Sequence, residues 1–172
     1  MTNINYSFIS KSKTLSAQAQ LHNWLNNQHF SHFLTIRPPV QNYTDDLNSA
    51  RKTLHYITTT FEKYLCGRHW NRNPVNFVGF IEYGKTHTCH YHLNLWAHNY
   101  TTEQIETAIE LTKQHCKIPS NSMYLEKIEQ TPEKVNSYIT KEILADNLGH
   151  IDNNRFIFSH ELFDIKCNPH TR

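Results

Sequence analysis

Glycine is scarce in this chain, four among 172 residues, which leaves few positions for left-handed backbone and argues against a loop-rich or repeat architecture. Cysteine is sparse and unpaired in pattern. Cys66, Cys89, Cys116 and Cys167 are widely scattered with no C-x-x-C pair, so neither a zinc ribbon nor a disulfide framework is indicated, and a reducing compartment fits. No apolar run approaches a membrane span, and the polar start MTNINYSFISKSK has no signal-peptide core. The expectation is a protein of a bacterial cytoplasm or a host nucleus, with no membrane partner and no secretion. An excess of one charge is also missing. The formal charge of +2 means that any nucleic-acid contact must come from local patches rather than from a basic body.

What is present suits a globular chain: 38% hydrophobic and 12% aromatic residues in a length that fits one domain with a proper core. We read residues 1–30 as a lead-in, 31–145 as a motif-bearing core and 146–172 as a C-terminal extension. Leu15 to Gln28 has Leu21, Trp24 and Leu25 at helical spacing. His32 to Arg37 is a strand closed by Pro38-Pro39. Thr44, with Asp45 and Asp46 in the first turn, opens a long helix on which Leu47, Ala50, Leu54, Ile57, Phe61 and Leu65 recur at three and four. Two strands, Val75 to Tyr83 and Cys89 to Ala97, follow as a hairpin around Gly84-Lys85. Thr101 and Gln104 form a capping box for a second helix buried through Ile105, Ala108, Ile109, Thr112 and Cys116. Met123 to Ile128 reads as a strand, Thr131-Pro132 opens a third helix to about Leu144, and Arg155 to Phe158 is an edge strand. This order, β-α-β-β-α-β and then a helix, predicts an α+β fold of the ferredoxin-like, split βαβ kind. Its antiparallel sheet of four or five strands would carry helices on one face, leaving the other free for a site that the third helix folds over.

The chemistry centres on EYGKTHTCHYHLNLW, residues 82–96. His90 and His92 are two apart in a strand, so the pleat sends both imidazoles to one face. A hairpin pairing Glu82 opposite His90 adds a carboxylate to that face, and a slip of one residue removes it. Two imidazoles and a carboxylate leave coordination positions open, which suits a catalytic divalent ion that must still bind water or phosphate oxygen.

The same stretch contains Gly79-Phe-Ile-Glu-Tyr-Gly84-Lys85-Thr86, a letter-for-letter match to the phosphate-loop pattern of ATPases. Its context is wrong. A phosphate loop needs a flexible turn between its glycines and a helix after it, whereas Phe80, Ile81 and Tyr83 are strand formers and another strand follows.

On the third helix, Tyr138 and Lys141 are three apart and share a face. A phenol has a free pKa of about 10, so it serves as a nucleophile only beside a cation that stabilises its phenolate or a metal that activates the phosphate it attacks.

Three ordered motifs therefore stand in the chain: T-x-x-P ending a strand (Thr35 to Pro38), H-hydrophobic-H (His90-Tyr91-His92) and Y-x-x-K on a helix (Tyr138, Lys141). In this order, over about residues 30–145, the chain resembles the HUH endonucleases, and more narrowly the single-tyrosine rolling-circle replication initiators of plasmids and viruses. The resemblance implies that Glu82, His90 and His92 hold Mg²⁺ or Mn²⁺, that Tyr138 cuts one DNA strand and keeps its 5′ phosphate, and that Lys141 stabilises the reacting groups. It also implies a single-stranded or hairpin DNA origin as partner, and, because the length leaves no room for a fused helicase, a host helicase acting in trans. Arg37, Lys85 and Lys127 are candidate contacts to the DNA backbone. Single-strand transposases and relaxases of the same superfamily are the nearest alternative, although those transposases usually carry glutamine where Lys141 stands. A hairpin-binding module that does not cut is a further one, and the phosphate-loop ATPase is the least favoured.

Overall fold

The computed structural model describes residues 19–39, 42, 46–72, 74–83, 89–128 and 155–159. The chain divides into two compact units, Met1–His29 with Gln130–Asn153, and Phe30–Glu129 with Asn154–Arg172. In the first unit the described backbone includes a helix, α1, over 19–26, with Leu25 fully buried and Trp24 exposed. The expected helix over Thr131 to Leu144, with Tyr138 and Lys141, lies outside the described residues.

The second unit holds the sheet. Its elements run β1 (His32–Ile36), α2 (Leu47–Cys66), β2 (Asn76–Tyr83), β3 (Cys89–Trp96), α3 (Thr102–Cys116), β4 (Met123–Lys127) and β5 (Phe156–Phe158). The strands form one antiparallel sheet in the order β4-β1-β3-β2-β5, an α+β fold of the split βαβ type. Strands β1 and β2, joined through α2, run the same way with β3 between them, which makes β3 the central strand.

Local chemistry sets the helix ends. Asp46 is the N-cap of α2, its carboxylate accepting from Ser49 N–H at 2.8 Å, so the helix begins after Asp46 and has no acidic residue in its first turn. The expected start at Thr44 is thus displaced by two residues, because a carboxylate one position before Leu47 caps the orphan N–H groups directly. Gly67, at φ +61°, ends the helix in the left-handed region that glycine adopts without steric cost. On α3 the Thr101–Gln104 capping box is complete in both directions, and Lys117 at φ 54° stops the helix two residues before Pro119.

The pleat divides β3 between two environments. Cys89, Tyr91, Leu93 and Leu95 pack with Leu34, Ile36 and Ile81 against Ala50, Leu54, Ile57 and Phe61 of α2 and Ile105, Ala108 and Ile109 of α3. Tyr91 is fully buried there and donates its hydroxyl to Ala50 O at 3.0 Å, which satisfies the polar end of a core aromatic. Burial away from water drives the phenol's pKa far upward, so Tyr91 stays protonated. The alternate residues His90, His92, Asn94 and Trp96 take the other face. At the centre of that face Val78, Phe80 and Asn94 are all buried. A central strand flanked on both sides reads as a nearly continuous buried run, and β3 has one from Tyr91 to Leu95.

Gly79 sits in the middle of β2, paired with Leu93. A Cβ there would lie 2.3 Å from Leu93 Cδ2 and 3.0 Å from the His92 carbonyl oxygen, so the glycine is required by close approach. Its place also disposes of the phosphate-loop pattern, because Gly79 to Tyr83 belong to the β2–β3 ladder and the next element is a strand. We expect Gly79→Ala to lower the unfolding free energy by about 1–3 kcal/mol through overpacking. In a Leu93→Ala background the same change should cost much less. Denaturant titrations of the four proteins measure this, and additive losses would refute the clash.

Candidate metal centre

The hairpin register places Glu82 opposite His90 and Phe80 opposite His92. Glu82, His90 and His92 therefore share the face away from α2 and α3, with one ligand atom from each lying within 4.8 Å of the others. It is the sole such group of three among the described residues. His92 Nε2 is 2.8 Å from Glu82 Oε2, and His90 Nδ1 is 3.9 Å from the same oxygen.

Each histidine is kept neutral. Burial lowers the His92 pKa, reinforced by the positive charges of His90 and Arg37 and opposed by Glu82. Burial likewise lowers that of His90, with Glu82 opposing and Arg37 adding to the effect. The short His92–Glu82 contact is thus a hydrogen bond from a neutral imidazole rather than an ion pair, and the neutral form is the one that offers a lone pair to a metal.

The surroundings of His92 fix its ring. It is stacked on Phe80, with centroids 4.9 Å apart and planes 18° apart, and faces Phe33 at 5.7 Å and 12°. Its second nitrogen, Nδ1, lies 3.2 Å from Thr35 Oγ1. A hydroxyl can donate or accept, so Thr35 serves both tautomers. It donates to Nδ1 when Nε2–H is given to Glu82, and accepts from Nδ1–H when the Nε2 lone pair is given to an ion. Two neutral imidazoles, one carboxylate and an outer hydroxyl that accommodates the ligating tautomer are a donor set that fits a divalent metal ion.

One row of side chains crosses the whole sheet on this face: Tyr124, Thr35, His92, Phe80 and Phe156, from β4 through β1, β3 and β2 to β5. At its β4 end Tyr124 is 47% exposed, and the Arg37 guanidinium lies 5.6 Å from its ring centroid. Arg37 is exposed just beyond β1, and its charge acts on both histidines. One row below His92, Asn94 is fully buried with neither side-chain oxygen nor nitrogen hydrogen-bonded.

Of the residues expected at the site, the structure brings together Glu82, His90 and His92, with Arg37 nearby. Lys127 is not brought there: it pairs with His32 at the other end of β1, on the helix side of the sheet. Lys85, Tyr138 and Lys141 lie outside the described residues. Thr35 had stood only as a motif letter, and the aromatic walls Phe33 and Phe80 were missed. Phe80 was within reach of the sequence, because a register pairing Glu82 with His90 pairs residue 80 with residue 92. Comparison with protein-family models, curated proteins and solved structures gives no match to this chain.

If Thr35 orients the ligating tautomer, Thr35→Val should weaken Mn²⁺ binding by about ten- to a hundredfold, the usual range for an outer-shell partner. Thr35→Ser should retain most of the affinity. Calorimetric titration with Mn²⁺, beside thermal melts showing both variants folded, tests this. Equal affinity in Thr35→Val and wild type would remove Thr35 from the site.

Proposed function

We propose that this chain is a metal-dependent endonuclease and strand transferase acting on single-stranded or hairpin DNA, of the kind that initiates rolling-circle replication of a plasmid or virus. The observation that carries the reading is the meeting of two distant motifs. Thr35, from T-x-x-P on β1, is hydrogen-bonded to His92, from H-x-H on β3, 57 residues away. Chance matches to two short patterns have no reason to fold onto one imidazole.

Glu82, His90 and His92 would hold a divalent ion, Mg²⁺ or Mn²⁺ by preference for oxygen and open positions, and such an ion would supply Lewis-acid polarisation of a phosphate. Arg37, whose charge already reaches both imidazoles, offers a guanidinium to a phosphate oxygen, and the Tyr124 ring beside it offers a surface on which an unpaired base can stack.

The nucleophile in this reading is Tyr138, taken from its Y-x-x-K motif. Its phenolic oxygen attacks phosphorus as the bond to the 3′ oxygen breaks, the phenolic proton is lost and the departing 3′ oxygen gains one. Lys141 lowers the cost of the phenolate. The product is a 5′-phosphotyrosine and a free 3′-OH, and since the phosphoryl bond is kept, a later 3′-OH reverses the step and rejoins strands. Tyr91, the tyrosine between the two histidines, is excluded as nucleophile by its burial in the helix-side core.

Incubation with short single-stranded origin-like DNA and Mn²⁺ should give a protein heavier by one DNA fragment in mass spectrometry, and Tyr138→Phe should show none. Persistence of the adduct in Tyr138→Phe moves the nucleophile elsewhere. Tight hairpin binding with no adduct under any divalent metal would make the domain a recognition module instead.

A second measurement separates a catalytic from a structural ion. His92→Ala should abolish cleavage while the circular dichroism stays near wild type, because an open site contributes less to folding than a closed zinc site. Unfolding of His92→Ala, or of the wild type on chelation, would make the site structural.

A further inference from the structure

One side of the sheet ends on β4, and the backbone of that strand faces two ways. Among the described residues β4 is hydrogen-bonded to β1 and to no other strand. In an antiparallel pair, opposite residues alternate between those that exchange N–H···O bonds with each other and those that turn both groups away. Arg37 N–H donates to Ser122 O at 2.7 Å and Ile128 N–H donates to Ser31 O at 3.0 Å, so the pairs at both ends of this ladder are of the bonded kind. By alternation Tyr124 and Glu126 are bonded to their partners Thr35 and Phe33. Met123 and Leu125 therefore turn their N–H and C=O groups outward, away from β1.

The other edge of the sheet differs. There β5 has three residues, Phe156–Phe158, and the Phe156 carbonyl already accepts from Arg51 Nη2 at 3.0 Å. The β4 edge runs over five residues, with Tyr124 and Glu126 exposed on the metal-centre face and Leu125 half-buried on the helix side.

We propose that the outer edge of β4 pairs antiparallel with the same edge of a second copy of this chain, across a two-fold axis at Leu125. Backbone parity and charge select that register. Outward groups must meet outward groups, so the axis passes through a residue of the strand rather than between two of them. An axis at Tyr124 would set two Tyr124 rings opposite each other, each with an Arg37 guanidinium 5.6 Å from its centroid, which crowds like charges. An axis at Leu125 sets Tyr124 opposite the partner's Glu126, and each carboxylate arrives beside the other copy's Arg37–Tyr124 pair. Glu126 is exposed and makes no ion pair among the described residues. A charged residue on an edge ordinarily repels added strands, and Glu126 does so in general but not here, because the symmetry supplies a guanidinium opposite it. On the helix side Leu125 meets the partner's Leu125, and more of a partly covered apolar surface leaves water. The symmetry is closed, so association stops at two copies. Both candidate metal centres then lie on the same side of the joined sheet, five strand spacings or roughly 24 Å apart. The interface does not depend on what those centres do.

Sedimentation velocity of the full chain over a concentration series tests this, and a species of twice 20.4 kDa should grow in as concentration rises. Leu125→Pro removes an outward N–H and spares the β1 ladder, so it should stay monomeric while melting as a folded protein. Glu126→Lys, an exposed change, should weaken the dimer by about tenfold or more, because symmetry counts each contact twice. Adding Arg37→Glu to it should restore association. Residue-resolved amide exchange locates the contact: the Leu125 N–H should slow as the dimer forms, while those of Tyr124 and Glu126, bonded to β1, stay slow throughout. If Leu125→Pro does not fold, Glu126→Lys and its rescue decide alone. A monomer at every concentration, growth beyond two copies, an undiminished dimer in Glu126→Lys, or exchange at Leu125 that ignores concentration would each overturn the proposal and leave β4 an edge kept apart by its charges.

Discussion

The pairing register of β2 with β3 is the constraint on which both the core and the site depend. Because side chains alternate, a single choice of partners puts Tyr91 and Ile81 into the helix-side core and sends Glu82, His90 and His92 to the opposite face. A slip of one residue would expose the core set and scatter the ligands together, so selection for stability and for the site act on the same hydrogen bonds. Gly79 and Leu93 fit that choice sterically, since a Cβ at residue 79 would force the Leu93 side chain to shift.

The candidate metal centre is shaped as much by what surrounds His92 as by the three residues that could hold an ion. Burial between Phe80 and Phe33 keeps the ring uncharged and rotationally fixed, at the cost of desolvating a polar group that Thr35 and Glu82 repay. His90 is half-buried, further from Glu82, and closer to the rim. The two imidazoles are therefore unequal: one is set between two aromatic rings and the other is half-buried.

Much of this was legible in the chain itself. The hairpin, its register and the ligand set follow from period-two patterning around Glu82 and His90-x-His92, and the α2 and α3 stripes follow from spacings of three and four. The N-cap of α2 was misplaced because Thr44, Asp45 and Asp46 are all good caps, and propensity alone does not rank three adjacent candidates. The burial of Val78, Phe80 and Asn94 was not legible either, since an apolar residue on an alternating strand does not announce whether its face is covered. Nor was the role of Thr35, which depends on a contact between strands far apart in sequence.

All three candidate metal ligands lie within one hairpin, Glu82 and His92 being ten residues apart. The chain entropy of assembling them is that of closing one short loop, so the ligand set is as local as any tertiary feature of this topology. The Thr35–His92 bond, by contrast, closes 57 residues and requires β1 to have docked. Ligands can thus gather on a timescale of hairpin formation, while the tautomer control and the aromatic slot arrive only with the long-range pairing of β1. An ion captured early would be held first by a flexible pair of strands and only later by a rigid centre, which makes metal affinity itself a clock for the completion of the sheet.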